Sequence, residues 1–206
     1  MKPKKLLVFA ISLAAVVVFA TVVSLPLAGD DGWNKVKGTY FSIGDNACLV
    51  SAPSTSPPTS TSTFVPASVQ SSSVQGTLKI KADGTGTGDF EELILTNPTT
   101  PGTGGETYSK YSFTFTYTIA SDGTLTVTLT SITGTVYPAG LPFTLAAPQL
   151  TGRITPDKST MLLSSAGPAI EILTVETSST TSLYFERECH RTRILVRVQA
   201  DGSDKD

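Results

Sequence analysis

Three segments of the chain alternate apolar and hydroxyl side chains on either side of a short turn sequence. Alternation with a period of two is typical of strands that bury one face, and Asp-Gly between such strands favours a hairpin with a type I′ turn. The pattern therefore predicts a sheet built from consecutive antiparallel hairpins. The three segments are residues 76–88 around Asp83-Gly84, residues 112–130 around Asp122-Gly123, and residues 150–164 around Pro156-Asp157.

The second hairpin separates most clearly into an apolar face and a hydroxyl face. A sheet with one apolar face must cover it, either by curling into a barrel or by packing on a second sheet. We therefore predict an all-β fold, an antiparallel up-and-down β-barrel of about eight to ten strands, with a β-sandwich as the alternative. The apolar residues that carry this prediction are Tyr111, Phe113, Phe115, Tyr117, Ile119, Leu125, Val127 and Leu129.

The connections between strands are predicted from turn-forming residues. A Ser/Thr/Pro-rich tract over residues 54–73 predicts a long loop or flap, and residues 97–107 and 138–148 predict two further connections. Residues 35–43 and 46–51 are predicted as an opening pair of strands. One domain over residues 29–200, followed by a polar tail at 201–206, accounts for the rest of the chain.

The N-terminal residues predict export. Lys2, Lys4 and Lys5 precede an apolar run from Leu6 to Val23, which is the order of a secretory signal peptide over residues 1–28. An uncleaved N-terminal anchor is the alternative, because the run is just long enough to cross a bilayer. The barrel is then periplasmic, extracellular or at the cell surface, and it contacts a membrane only through an uncleaved segment.

The charge of the chain argues against nucleic acid as a partner. The formal net charge is −2, and removal of the three lysines of the signal makes it −5. A protein that binds nucleic acid by electrostatic attraction carries clustered Lys and Arg instead.

The chain has two cysteines, Cys48 near the start of the predicted domain and Cys189 near its end. In an oxidising compartment two such cysteines are predicted to form a disulfide. A closed loop of about 140 residues restricts the unfolded chain by about 5 kcal/mol on the entropy model. The bridge would hold the first strand beside the last, at the seam that a barrel must close.

Candidate chemistry is sparse. The single histidine, His190, would have to be the base of any Ser-His-Asp site. The sequence contains no nucleophile elbow of the form Gly-x-Ser-x-Gly, so no catalytic site is predicted. No cofactor is predicted, and no metal site either, because Glu186 and Glu188 lack further ligands at usable spacing.

The last strand carries charge on both faces, which leaves two interpretations open. Glu188 and His190 share a side with Ile194 and Val196. If that apolar side faces inward, the two polar residues lie in the lumen near one mouth and can orient a ligand. In the alternative, the strand leaves the barrel there and its charges pair across the edge in water.

Several short motifs resemble those of known barrel families. Gly32-Trp33 before Gly38-Thr39-Tyr40 resembles the start of lipocalin-type barrels. Together with Asn46-Ala47-Cys48-Leu49, Gly76-Thr77-Leu78 and Asp83-Gly84-Thr85-Gly86, it is similar to small exported bacterial barrel proteins of unassigned function, of calycin or allene-oxide-cyclase-like outline. The resemblance implies a closed antiparallel barrel whose interior can hold an apolar molecule. It implies no catalytic residue.

Three functions follow as hypotheses. The first is a barrel that binds a small apolar molecule beneath the flap, with Tyr111, Phe113, Phe115 and Tyr117 as ligand-binding residues and Glu188 and His190 as polar contacts. These aromatics are otherwise simply core filling. The second is a non-enzymatic envelope or surface module that acts through its loops. A barrel-type isomerase is the third. The volume of the lumen separates the first two, and the sequence makes no prediction of oligomeric state.

Overall fold

The computed structural model describes residues 36–59, 63–98, 105–146, 148–167 and 169–198. The predicted signal segment, Trp33, the polar tail and parts of the three predicted loops lie outside these residues. Among the described residues, ten antiparallel strands belong to one sheet. They are β1 (Gly38–Ser51), β2 (Pro66–Ile80), β3 (Thr85–Pro98), β4 (Gly105–Ile119), β5 (Thr124–Tyr137), β6 (Leu141–Leu145), β7 (Gln149–Ile154), β8 (Thr160–Ser165), β9 (Ile170–Ser178) and β10 (Thr181–Arg197).

The sheet closes into an up-and-down barrel, as predicted. Strands β1 to β5 pair in chain order, and β10 returns to pair with β1. The first half of β5 pairs with β7 and its second half with β6. In the same way β10 pairs with β9 through its first half and with β8 through its second half. Strands β6 and β7 therefore share one position in the wall beside β5, and β8 and β9 share one position beside β10. The described part of the barrel thus has eight positions built from ten strands.

The two ends of the barrel differ. The hairpin turns β2–β3, β4–β5 and β7–β8 lie at one end, called the lower end here. Tyrosine hydroxyls contact the backbone at this end. Tyr117 Oη lies 2.8 Å from Val36 O and 2.7 Å from Lys81 O, and these two carbonyls share its one hydrogen as acceptors. Tyr40 Oη donates to Lys158 O (2.8 Å). These contacts close the lower end around an apolar core. Ser51, Pro98 and Gly105, at ends of β1, β3 and β4, lie at the opposite end, called the upper end.

The predicted hairpins are confirmed, but the predicted turn type is wrong. Gly84 and Gly123 have φ values of 84° and 82°, whereas neither Asp83 nor Asp122 is among the described residues with positive φ. Lys81 N donates to Thr85 O (2.9 Å), which encloses three turn residues rather than two. This is a type I turn followed by a left-handed glycine, and it needs only one residue of positive φ.

Three predicted boundaries are also corrected. Residues 66–73 belong to β2, although the sequence predicted a loop, because neighbours on both sides satisfy their backbone groups whatever their side chains are. Residues 141–145 form β6 inside a predicted turn. The predicted opening pair is one strand, β1, which passes through Gly44 without a break.

Candidate functional site

The middle of the lumen holds a cavity of about 80 Å³. One side of it is apolar and is formed mainly by strands β3 to β9. The other side is polar and is formed mainly by β1, β3 and β10. The principal apolar residues are Phe90, Phe113, Leu129, Ile132, Phe143 and Leu163, and the principal polar residues are Ser42, Asn46, Glu92, Arg187, Arg191 and Arg193.

Three arginines of β10 point into the barrel. Arg187, Arg191 and Arg193 alternate with outward residues, and each is only 6% exposed. Burying a guanidinium is costly unless it is paired and hydrogen-bonded. The partners of these arginines therefore determine what the lumen can do.

Two of the three arginines have oxygen acceptors for both terminal nitrogens. The two terminal nitrogens of Arg191 donate to the two carboxylate oxygens of Glu171 on β9, a bidentate pair. Arg193 donates to Asn46 Oδ1 (2.7 Å) and to the carbonyl of Asp45 (3.0 Å). These contacts fix both guanidinium groups against the wall.

Asn46 links the arginines to the second buried carboxylate. Its Nδ2 donates to Glu92 Oε1 (2.7 Å), and Ser72 Oγ donates to the same oxygen. Its oxygen accepts from Arg193, so one amide joins β1, β3 and β10. The negative charge of Glu92 is therefore held by β1 and β2 on one side of the lumen.

Arg187 is bonded differently. Its Nη2 donates to Cys48 Sγ (3.3 Å), a weak acceptor, and its Nε has no hydrogen-bond partner among the described residues. Glu171 lies opposite Arg187 in the β9–β10 register, but its carboxylate is held by Arg191. Burial lowers the pKa of Arg187, and the charge of Glu92 opposes that shift. Arg187 is thus a buried cation with an unused donor.

Two hydroxyls on the cavity wall are also unpaired. Ser42 Oγ and Ser109 Oγ are buried and have no hydrogen-bond partner in the part of the chain that the structure describes. Tyr111 lines the same cavity, and burial raises the pKa of its phenol, with the charge of Glu92 adding to the shift. The residues that line the cavity therefore include two unpaired hydroxyls and one unsatisfied guanidinium nitrogen.

The predicted aromatic residues fall into two groups. Tyr111 and Phe113 line the cavity, whereas Phe115 and Tyr117 pack in the closed lower end. Their role in ligand binding stays a prediction, and the geometry places only the first two beside the space that a ligand could occupy.

Glu188 and His190 lie on the outer face, so the hypothesis that their side of β10 faces the lumen is wrong. His190 is exposed and Glu188 is half-buried, while Ile194 and Val196 on the same side are 44% and 50% exposed. The inward positions are taken by the arginines, two of which are bound by groups on other strands: Arg191 by Glu171 and Arg193 by Asn46. On β10, Ile194 and Val196 therefore face outward although they are apolar, and the charged arginines face inward.

A disulfide joins Cys48 to Cys189, as predicted, with a Cα–Cα distance of 4.1 Å. The two residues are directly opposed in the β1–β10 pair, and both side chains are buried. The bridge therefore lies at the seam where the barrel closes. The bridge also places Cys189 on the same face of the wall as Cys48, and Arg187, Arg191 and Arg193 share that face because they alternate with the other residues of β10.

The outer wall carries an apolar patch where β1, β10 and β8 meet. Phe41 lies opposite Val196, Ile43 lies opposite Ile194, and Ile194 lies opposite Leu162 on the other side. All five are at least 44% exposed.

No helix among the described residues is long and apolar enough to cross a membrane. Those same residues contain no cluster of three or more His, Cys, Asp or Glu side chains placed to bind a metal.

No protein-family model and no curated protein matches the sequence. Among solved structures, the chain is similar to the S-type phycobiliprotein lyase CPES from Guillardia theta, at 6% identity and a TM-score of 0.24. The match covers 80% of this chain and 89% of the lyase. A TM-score this low supports no assignment of function.

Proposed function

We propose that this protein is a binding barrel that holds a small molecule in the cavity of its lumen. The observation that carries the proposal is the two-sided cavity, in which an apolar wall faces unpaired polar groups. Ligand sites in proteins typically combine mostly apolar walls with a few placed polar groups. The hydroxyls of Ser42 and Ser109 are such groups.

The size of the cavity limits the ligand. A volume of about 80 Å³ exceeds what one water molecule needs but is well below the roughly 300–1,000 Å³ of sites for drug-sized ligands. The proposed ligand is therefore a short molecule with few heavy atoms. This ligand class is smaller than the one predicted from the sequence, which was an apolar molecule of unspecified size.

A series of neutral alcohols from ethanol to hexanol tests the proposal. A molecule that binds only the folded state stabilises it by RT ln(1 + [L]/Kd). We expect the rise in Tm to be largest for the chain length that fills the cavity and to fall for longer alcohols. Ligand-detected NMR measures binding directly in the same samples.

Ser109→Leu is the blocking variant, because it extends an apolar side chain into the cavity and removes an unpaired hydroxyl. Ser112→Leu is its control, since Ser112 lies on the outer face of the same strand. The proposal predicts that only Ser109→Leu abolishes alcohol binding. Equal binding by both variants, or no binding by the wild type of any alcohol or of the acid described below, would contradict it.

We further propose that the barrel is an exported protein. The apolar run behind Lys2, Lys4 and Lys5 supports export, and a buried disulfide is compatible with an oxidising compartment. Expression with the full N-terminus in a bacterial host, followed by fractionation and mass measurement, tests both export and cleavage near Ala28.

A surface module is the second candidate function. The apolar patch on the outer wall favours it, because exposed patches of this kind often mark contact sites. The variant Ile43→Glu/Ile194→Glu tests it. Loss of a concentration-dependent increase in molecular mass, measured by light scattering, would support a contact role, and a wild type that stays monomeric at all concentrations would argue against self-association through this patch.

A further inference from the structure

We infer that Arg187 is the head-group site of the lumen, and that the ligand it selects is a short organic acid whose single negative charge meets this guanidinium while its apolar chain fills the cavity. The inference rests on the proposed function, because it specifies the ligand class of the same cavity. It is carried by the unpaired Nε of a side chain that is 94% buried, being 6% exposed.

The charge balance of the lumen favours an anion. The buried charged side chains around the cavity are three arginines and two glutamates, which leaves one positive charge uncompensated among the described residues. An isolated buried charge is costly, and a bound monoanion would remove that cost. A neutral ligand would leave the excess charge in place, and a dianion would reverse it.

The bonding pattern selects Arg187 among the three arginines. Arg191 already uses both terminal nitrogens on Glu171, and Arg193 is bonded to Asn46 and to backbone carbonyls. The Nη2 of Arg187 donates to the sulfur of Cys48, a weak acceptor. A carboxylate that approaches Nε can therefore form a charge-assisted hydrogen bond without breaking an existing ion pair.

The remaining walls define the rest of the ligand. Ser42 and Ser109 supply unpaired hydroxyls that can donate to the same head group or to a second oxygen. Phe113 and Leu129 belong to the apolar side, against which a chain of a few carbons would pack. Glu92 also lies in the lumen, but Asn46 and Ser72 already bind its carboxylate. The charge of Glu92 therefore disfavours a ligand with two negative charges, whereas the excess positive charge of the arginines accommodates a ligand with one.

The test compares butanoate with butanamide, which have nearly the same shape and differ in charge. Each compound is titrated into the full-length protein, and binding is measured by calorimetry and by ligand-detected NMR. Butanoate should bind at least about tenfold more tightly than butanamide, since hydrogen bonds between charged groups are the stronger ones. Butanoate should also raise the Tm of the protein, and sodium chloride at the same concentration should not produce the same rise. This comparison requires no variant.

Arg187→Met keeps the bulk of the side chain and removes its charge. It should weaken butanoate at least about tenfold while leaving butanamide within about threefold. Arg187→Lys restores the charge without Nε and should recover part of the preference for butanoate. Arg197→Met is the control, because Arg197 lies on the same strand and is exposed. It should change neither affinity.

The outcomes separate the inference from the proposed function. If butanoate, butanamide and butanol bind equally, or if Arg187→Met binds butanoate as tightly as the wild type, the lumen binds small molecules but the head-group site is wrong. If chloride alone stabilises as well as butanoate, the apolar chain contributes nothing and the ligand class is wrong. If neither the acid nor any neutral probe binds, both the inference and the proposed function fail.

Discussion

The ring of Phe113 on β4 lies directly over Gly88 on β3, in the place that a side chain at position 88 would need. A Cβ atom on Gly88 would lie 2.3 Å from Cζ of Phe113. The two residues are opposed in the β3–β4 register, and Gly86 stands in the same relation to Phe115. Two glycines on the inner face of one strand therefore make room for two rings from the next.

The first prediction follows from this contact. Gly88→Val should destabilise the barrel by about 1–3 kcal/mol, because the buried ring of Phe113 must move out of a packed position. Urea unfolding measures the change. Gly105→Val is the control, since no atom lies within 4 Å of a Cβ at Gly105. If both variants unfold at the same urea concentration, the proposed packing is wrong.

The second prediction concerns the seam between β1 and β10. Removing the disulfide with Cys48→Ala/Cys189→Ala should lower the free energy of unfolding by about 2–5 kcal/mol, because the unfolded chain regains the freedom of a loop of about 140 residues. Equilibrium urea unfolding with and without dithiothreitol measures it. The reductant should destabilise the wild type to the same extent and leave the variant unchanged. A reductant effect on the variant would show that another process is being measured.

The hairpins could be predicted from the sequence because their signals are local. Asp83-Gly84 lies between alternating residues that face one another across the turn, so a short window contains the whole pattern. The inward direction of Phe113 and Phe115 could be inferred for the same reason. The turn type could not, because a three-residue loop and a two-residue loop both place glycine at a position of positive φ.

The polar side of the candidate site could not be predicted because its stabilising partners are distant in sequence. Arg191 is tolerated inside the barrel because the Glu171 carboxylate on β9 binds it, and Arg193 depends on Asn46 at the other end of the chain. Hydropathy along β10 favoured burial of Ile194, which is exposed instead. The predicted pairing of Cys48 with Cys189 places both residues on one face of the wall, the face that the three arginines share, but it does not say which face is inward.

The third prediction concerns the buried pair of Arg191 and Glu171. Glu171→Gln should cost about 3–5 kcal/mol, because it leaves a buried guanidinium without its countercharge. Chemical unfolding measures the loss. The double variant Glu171→Leu/Arg191→Met should recover most of it, since an apolar pair carries no desolvation cost.

The control for that pair is on the surface. Glu91 forms an exposed ion pair with Lys110 at 2.8 Å, and Glu91→Gln should have a much smaller effect, because solvent screens exposed charges. If the double variant at the buried pair is as unstable as Glu171→Gln alone, packing rather than charge accounts for the loss.

The fourth prediction concerns the turns at the lower end. Hydrogen bonds from the side chain and backbone of Thr85 hold the pKa of Asp83 below its usual range, and those from Thr155 and Ser159 do the same for Asp157. A carboxyl with a lowered pKa in the folded state stabilises the fold above its unfolded pKa, near pH 4, and this contribution is lost as the pH falls through the folded value. The barrel should therefore lose stability below about pH 4.

The variant Asp83→Asn/Asp157→Asn isolates this effect, because asparagine keeps the accepting oxygen but does not titrate in this range. We expect Tm, measured by circular dichroism from pH 6 to pH 2, to fall less steeply in this variant than in the wild type. Asp45→Asn/Asp89→Asn removes the same number of charges from exposed strand positions, so it controls for net charge. If that control flattens the pH profile as much as the turn variant does, general charge repulsion rather than the turn hydrogen bonds determines the acid sensitivity.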